Sequence, residues 1–235
     1  MLRHFAAGAL DEHERALAAR APARARAHRV RGAGGACHAA AVAVACRVLR
    51  NFPAVAVHGI TVRVAVARVA ADAPALTGAE CARIEVPLDH AAPQDGTQDG
   101  SVELFVRKFP ATGAPQGELW LVAGGPGESG ASFYPFLDTL RAAAPGFDLI
   151  VPDHRGTGLS TRLCPSEESA DSAGGMALEG AEWGSCIGAL HADPQRTQSF
   201  TITNAAHDIT LLMDELGSAD RRYLYGVSYG TQLVL

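Results

Sequence analysis

The sequence predicts an α/β fold with a mostly parallel sheet and crossover helices. Three observations carry that prediction. From Glu80 onward, short apolar runs alternate with segments of helical periodicity. Two of the runs open into glycine-rich loops, at residues 124–130 and 226–230. The second loop, Gly226-Val227-Ser228-Tyr229-Gly230, fits the Gly-x-Ser-x-Gly turn that exposes a reactive serine between a strand and a helix.

The elements follow in order. Residues 81–88 read as a strand closed by Pro87 and Asp89, and residues 91–100 as a turn rich in Pro, Asp and Gly. Residues 101–109 alternate, with Val102, Leu104 and Val106 on one face. Residues 118–123 are almost wholly apolar, as a buried central strand is. Residues 132–144 place Phe133, Phe136, Leu137 and Leu140 at helical spacing. A further buried strand, 147–151, runs into Pro152-Asp153. Residues 156–200 carry no strong period. Ala205, Ile209, Leu212, Met213 and Leu216 then mark a helix face stopped by Gly217. Residues 223–227 form the strand that enters the serine turn. Strand, helix, strand, helix, strand implies parallel pairing with right-handed crossovers.

Residues 1–76 differ. They are rich in Ala, Arg and Val, and they are expected to form a poorly ordered leader, with a partial α/β domain over residues 77–235. A partial alternation at residues 62–69 allows a strand. The basic stretch 20–31, the apolar run 39–45 and Ala71-Asp72-Ala73 loosely resemble an export signal with its cleavage site. The alternative is a leader of biased composition and a cytoplasmic protein.

Composition narrows the function classes. The 235 residues are 48% hydrophobic, enough for one sizeable core. A net charge of -5 is no nucleic-acid footprint. No stretch reaches the roughly 20 apolar residues of a membrane span. None of the five cysteines forms a Cys-x-x-Cys pair, so no zinc or redox motif is present. Cys164 and Cys186 flank a Gly/Ser/Ala-rich excursion and are expected to bridge in an exported protein. Two buried thiols are the alternative.

Four site features stand out. Ser228 is the candidate nucleophile, because a serine at the tip of this turn is exposed to a general base. The loop Gly124-Gly125-Pro126-Gly127-Glu128-Ser129-Gly130 follows a buried strand and opens a helix. There Gly125 is placed to give one oxyanion N–H and Tyr229, after the nucleophile, the other. Asp153 and Arg155, on the turn after the next strand, are expected to pair; beneath this loop the pair would brace it, while the preferred reading is a purely structural turn with a partly buried ion pair. His154 precedes the serine, in the wrong chain order for a triad base, and His207 is expected on an exposed helix face; neither is assigned a catalytic role.

A rival reading exists for the first loop. Gly125-x-Gly127-x-x-Gly130 with Asp153 downstream is formally a dinucleotide fingerprint. Pro126 removes an N–H from the loop that would cradle a pyrophosphate, and the rival leaves the turn at Ser228 unexplained.

Four segments together resemble a known family. Residues 81–89, Cys-Ala-Arg-Ile-Glu-Val-Pro-Leu-Asp, are similar to the opening strand of exported bacterial α/β-hydrolases of the proline iminopeptidase and tripeptidyl aminopeptidase group. The Gly-Gly-Pro-Gly loop at 124–127, the Asp-x-Arg-Gly-x-Gly-x-Ser turn at 153–160 and the elbow at 225–231 resemble the corresponding motifs. The resemblance covers about residues 79–235. It implies the N-terminal half of an α/β-hydrolase fold, a serine peptidase releasing N-terminal residues through an acyl-enzyme, a peptide or ester substrate and no cofactor. Esterases share the core.

In that family the cap, the last strands and the triad Asp and His lie beyond the elbow, whereas here only Thr231-Gln232-Leu233-Val234-Leu235 follows Gly230. The expectation is therefore an inactive fragment whose elbow strand has an open apolar edge.

Overall fold

The computed structural model describes residues 46–48, 55–57, 60–62, 67–69, 76, 78–92 and 100–235. The export-like features at 20–31, 39–45 and 71–73 lie outside the described residues. Nine strands are described. Four have three residues each: β1 (Cys46–Val48), β2 (Val55–Val57), β3 (Ile60–Val62) and β4 (Ala67–Val69). The longer ones are β5 (Glu80–Pro87), β6 (Ser101–Phe109), β7 (Gly117–Val122), β8 (Phe147–Asp153) and β9 (Arg222–Gly226). The helices are α1 (Leu137–Ala143), α2 (Glu182–Ala192), α3 (Pro194–Ser199), α4 (Ile202–Leu216) and α5 (Gly230–Leu233).

Seven strands form one sheet in the order β1-β4-β5-β6-β8-β7-β9, and β2 pairs with β3 separately. The sheet is mixed. Parallel pairing is confined to β8-β7 and β7-β9, as the strand–helix alternation predicts. The pairs from β1 to β8 are antiparallel, so the expectation of a mostly parallel sheet is corrected. The sequence between β5 and β6, residues 88–100, is rich in Pro, Asp and Gly rather than helix-forming, so it supplies a turn and not the helix of a parallel crossover.

β7 is where the order reverses. β8 lies on one side of it and β9 on the other. The connection from β7 to β8 and the connection from β8 to β9 cover opposite faces of the sheet. Trp120 and Val122 pack with Ala205, Ile209 and Leu212 of α4 and with Leu233 of α5. Leu121 packs on the other face with Phe133 and Leu137 of the first connection. The register brings the carboxyl ends of β7, β8 and β9 together: Trp120 pairs with Ile150, and Val122 with Gly226. Crevices outside such strand ends, at a reversal of order, are where open α/β sheets bind ligands.

Glu118 locks β9 to this centre. Its fully buried carboxylate accepts from Ser218 N at 2.7 Å, Ser218 Oγ at 3.1 Å, Ala219 N at 3.3 Å and Trp120 Nε1 at 3.2 Å. The turn between α4 and β9 is thereby pinned to β7.

Several segments differ from the sequence reading. The helix expected over 132–144 is split into a 3-10 helix, Gly130–Phe136, and α1. Pro135 lies inside the first part, and it cannot donate the bond a continuous α-helix needs. Phe136 is accordingly 59% exposed rather than on the buried face. The stretch without a period, 156–200, contains α2 and α3. Gly217 caps α4 in an extended conformation, not the left-handed one of a typical C′ glycine. β9 is the edge of the described sheet, and Tyr223, Leu224 and Tyr225 are exposed. No helix among the described residues is long and apolar enough to cross a membrane.

Candidate active site

The serine turn forms directly from β9. Val227 N donates to Val122 O at 3.1 Å, keeping the chain on β7 for one residue past the strand. Ser228 then turns it with φ +53°, the one non-glycine residue with positive φ among the described residues. This left-handed backbone is costly for a residue with a Cβ, and such strain collects at functional turns. Helical bonds begin at once: Gly230 N donates to Val227 O at 2.8 Å and Thr231 N to Ser228 O at 3.0 Å. A Cβ on Gly226 would meet Gly230 O at 2.5 Å, so the turn closes only with glycine there. Ser228 is exposed at the tip.

The loop after β7 lies against this turn. A Cβ on Gly124 would stand 2.6 Å from Val227 O, 2.9 Å from Ser228 Cβ and 3.4 Å from Tyr229 N. Gly125 follows with φ +109°. No acceptor among the described residues takes the N–H of Gly125 or of Tyr229. Two unsatisfied backbone donors therefore flank the exposed serine, the arrangement that can stabilise a developing oxyanion.

Asp153 and Arg155 do not pair with each other, which corrects the sequence expectation. Asp153 does brace the glycine loop: Oδ1 accepts from Gly130 N at 2.6 Å, and Oδ2 accepts from Leu159 N at 2.8 Å. Burial pushes its carboxyl up, and those two N–H groups and nearby Arg107 oppose the push. Arg155 points the other way, into α4. Its Nε reaches Asp208 Oδ2 at 2.6 Å and its Nη2 reaches Asp208 Oδ1 at 2.7 Å. The remaining donors go to Leu88 O, Ser199 O and Pro87 O. Successive residues on an extended strand end face opposite sides, so residues 153 and 155 reach separate partners only because the chain turns at His154.

The dinucleotide reading fails on the same contacts. Asp153 is buried and its carboxylate is engaged by the loop and the turn, so it does not stand where a ribose would. The loop opens a 3-10 helix capped by Ser129, whose Oγ accepts from Ala131 N at 3.2 Å.

Sequence reasoning missed Asp208 and His90. His90 Nε2 lies 2.7 Å from Asp208 Oδ1, and His90 N donates to Asn204 Oδ1 at 3.1 Å. A signal was present: Asp208 sits within the apolar stripe of α4, between Ala205 and Ile209, where a charge implies a buried partner. His207 is exposed, as expected, and its ring lies 5.5 Å from that of His90. His154 is buried, and its ring meets that of Tyr229. No histidine among the described residues hydrogen-bonds to Ser228 Oγ. Cys164 and Cys186 form a disulfide with Cα atoms 5.4 Å apart, closing the excursion before α4. No cluster of three metal-ligating side chains occurs among the described residues.

Comparison with known proteins agrees with this geometry. Residues 119–235 match the alpha/beta hydrolase fold family. The chain is 31% identical over 175 residues to serine protease Hip1 of Mycobacterium tuberculosis, covering 66% of this chain and 32% of that protein. It is 38% identical over 100 residues to Carboxylesterase B of Mycobacterium tuberculosis, covering 39% of this chain and 17% of that protein. The chain thus spans about a third or less of the length of these curated relatives. Among solved structures, the epoxide hydrolase of Aspergillus niger aligns at TM-score 0.37 and 17% identity, over 65% of this chain and 29% of that one. The proline iminopeptidase-related protein of Thermus thermophilus aligns at TM-score 0.34 and 21% identity, over 63% of this chain and 36% of that one. Through residues 119–235, the chain belongs to the alpha/beta hydrolase fold family.

Proposed function

We propose that the protein is an exported serine hydrolase that releases residues from peptide N-termini. The observation that carries the reading is the left-handed Ser228 with the Gly124 loop pressed against it. Ser228 Oγ attacks the scissile carbonyl carbon and gives its proton to a general base. The carbonyl oxygen takes the negative charge and is held by the N–H groups of Gly125 and Tyr229. The base passes the proton to the departing amine, which leaves an acyl-enzyme on Ser228. Water then attacks the ester, returns the proton to Ser228 and releases the acid. The base is not found among the described residues in contact with Ser228.

Peptide specificity is supported by the four motifs of the opening sequence comparison and by the similarity to a serine protease. Export is supported by the disulfide, since such bonds persist in oxidising compartments. Ester hydrolysis is the second reading, favoured by the 38% identity to a carboxylesterase. The test is labelling of the full-length protein with a fluorophosphonate probe, followed by turnover of aminoacyl and tripeptidyl amides against simple esters. Labelling that vanishes in Ser228→Ala, with amide turnover dependent on a free amino terminus, is the expected result. Labelling that survives Ser228→Ala sinks the reading.

A further inference from the structure

Three consecutive side chains at the end of β8 reach three different walls of the site. Asp153 holds the glycine loop through Gly130 N. Arg155 holds α4 through Asp208 and the end of β5 through the carbonyls of Pro87 and Leu88. His154, between them, meets the elbow: its ring centroid is 5.8 Å from that of Tyr229, with the planes at 80°. We propose that His154 is a positioning residue for the oxyanion hole, acting through the Tyr229 ring to fix the direction of the Tyr229 N–H. This rests on the serine-hydrolase reading above.

The surroundings of each partner explain why such a contact matters. Tyr229 is the N-cap of α5, and no side-chain hydrogen bond caps that end of the helix. One side of the Tyr229 ring is supported by the core under α4. His154 gives it a second contact.

His154 itself has little freedom. Its side chain is buried, and its carbonyl accepts from both Thr157 N at 3.0 Å and Thr157 Oγ1 at 2.8 Å. The flanking side chains are anchored as described. Nε2 of His154 has no hydrogen-bond partner among the described residues, so its hold on Tyr229 is ring packing rather than a polar bond. Edge-to-face aromatic pairs have a preferred geometry, and they transmit orientation better than an aliphatic contact does.

The test is p-nitrophenyl acetate turnover by the full-length protein. Removing an oxyanion donor outright costs about 10²- to 10³-fold in kcat, so a misdirected donor is expected to cost about tenfold. His154→Ala should lower kcat by about that factor with KM changed less than about twofold. His154→Phe keeps the ring contact and should restore kcat to within about threefold of wild type. The double variant His154→Ala/Tyr229→Ala should be no slower than Tyr229→Ala alone. An unchanged kcat in His154→Ala, effects that multiply in the double variant, or a His154→Phe as slow as His154→Ala would each overturn the role. Where His154→Ala does not fold, His154→Leu fills the volume without the planar ring and gives the same reading. Ser228→Ala is measured alongside. Turnover surviving in Ser228→Ala removes the serine-hydrolase reading itself, whereas turnover lost there but unchanged in His154→Ala removes only the role of His154.

Discussion

Arg155 grips Asp208 at two points, Nε to Oδ2 at 2.6 Å and Nη2 to Oδ1 at 2.7 Å, with side chains 1% and 0% exposed. The guanidinium spends its other donors on three carbonyls, and His90 Nε2 meets Asp208 Oδ1 at 2.7 Å. Every charge here has a partner, so the network ties the end of β5, the turn after β8 and α4 into one block. Removing one member strands the other. Asp208→Ala is expected to lower unfolding free energy by about 3–5 kcal/mol in urea melts. The pair Arg155→Met/Asp208→Leu leaves neither member of the ion pair alone and should lose clearly less. A single variant within about 1 kcal/mol of wild type would contradict the network's role.

The Cys164–Cys186 bridge closes a loop with a sequence separation of 22. The enclosed segment buries few side chains; α2 buries only Cys186, while Trp183 and Ile187 are exposed. Loop closure of this length is worth about 3 kcal/mol through the unfolded chain. Cys164→Ala/Cys186→Ala should lose about that much, with α2 detaching first. Intact-mass analysis after alkylation provides the check: two further alkyl groups should add only after reduction.

The parallel strands and the serine turn were legible because their signals are local. An apolar run of five or six residues flanked by glycines fixes β7 and β9 with little help from the rest of the chain. The pairing of Asp153 and Arg155 was misread because two opposite charges two residues apart suggest each other. Their real partners are far away in sequence: Gly130 for one and Asp208 for the other. Helices α2 and α3 escaped because they bury almost nothing and so show no period, although Asp193-Pro194 carried a capping signal. The Asp193 side chain accepts from Arg196 N, with proline at the first helical position. The antiparallel half was legible as strands but not as pairing, since strand direction is set by connections rather than by composition.

The serine turn permits two substitutions with opposite consequences. At φ +53°, Ser228→Gly relieves a conformation that Ser228→Ala retains. The glycine variant should be more stable than the alanine variant by about 1 kcal/mol, and neither should label with fluorophosphonate. Gly124→Ala keeps the serine but sets a methyl 2.6 Å from Val227 O, so the two loops must part. Its kcat should fall about 10²-fold, because the donors no longer share one oxygen position. Labelling of Gly124→Ala at the wild-type rate would contradict that geometry.

His154 makes stability depend on pH in a direction that can be worked out. Burial pushes its imidazole below the usual histidine range; bonds to its own backbone and that of Arg155, and the charge of Asp208, oppose the push without cancelling it. The unfolded chain takes up a proton near the ordinary value of about 6.5, and the folded chain only at lower pH. Between those values the unfolded state holds more protons, so stability rises with pH. The contribution is complete above about pH 6.5 and is lost as pH falls through the folded value. His154→Phe removes the titrating group while keeping a ring against Tyr229. Asp153, whose carboxyl burial pushes up, shifts stability alike in both proteins, so their difference isolates His154. Urea unfolding at about pH 7.5 and about pH 5.5 should show wild type losing more stability on acidification than His154→Phe. Equal losses would mean that the imidazole is not held neutral in the folded protein.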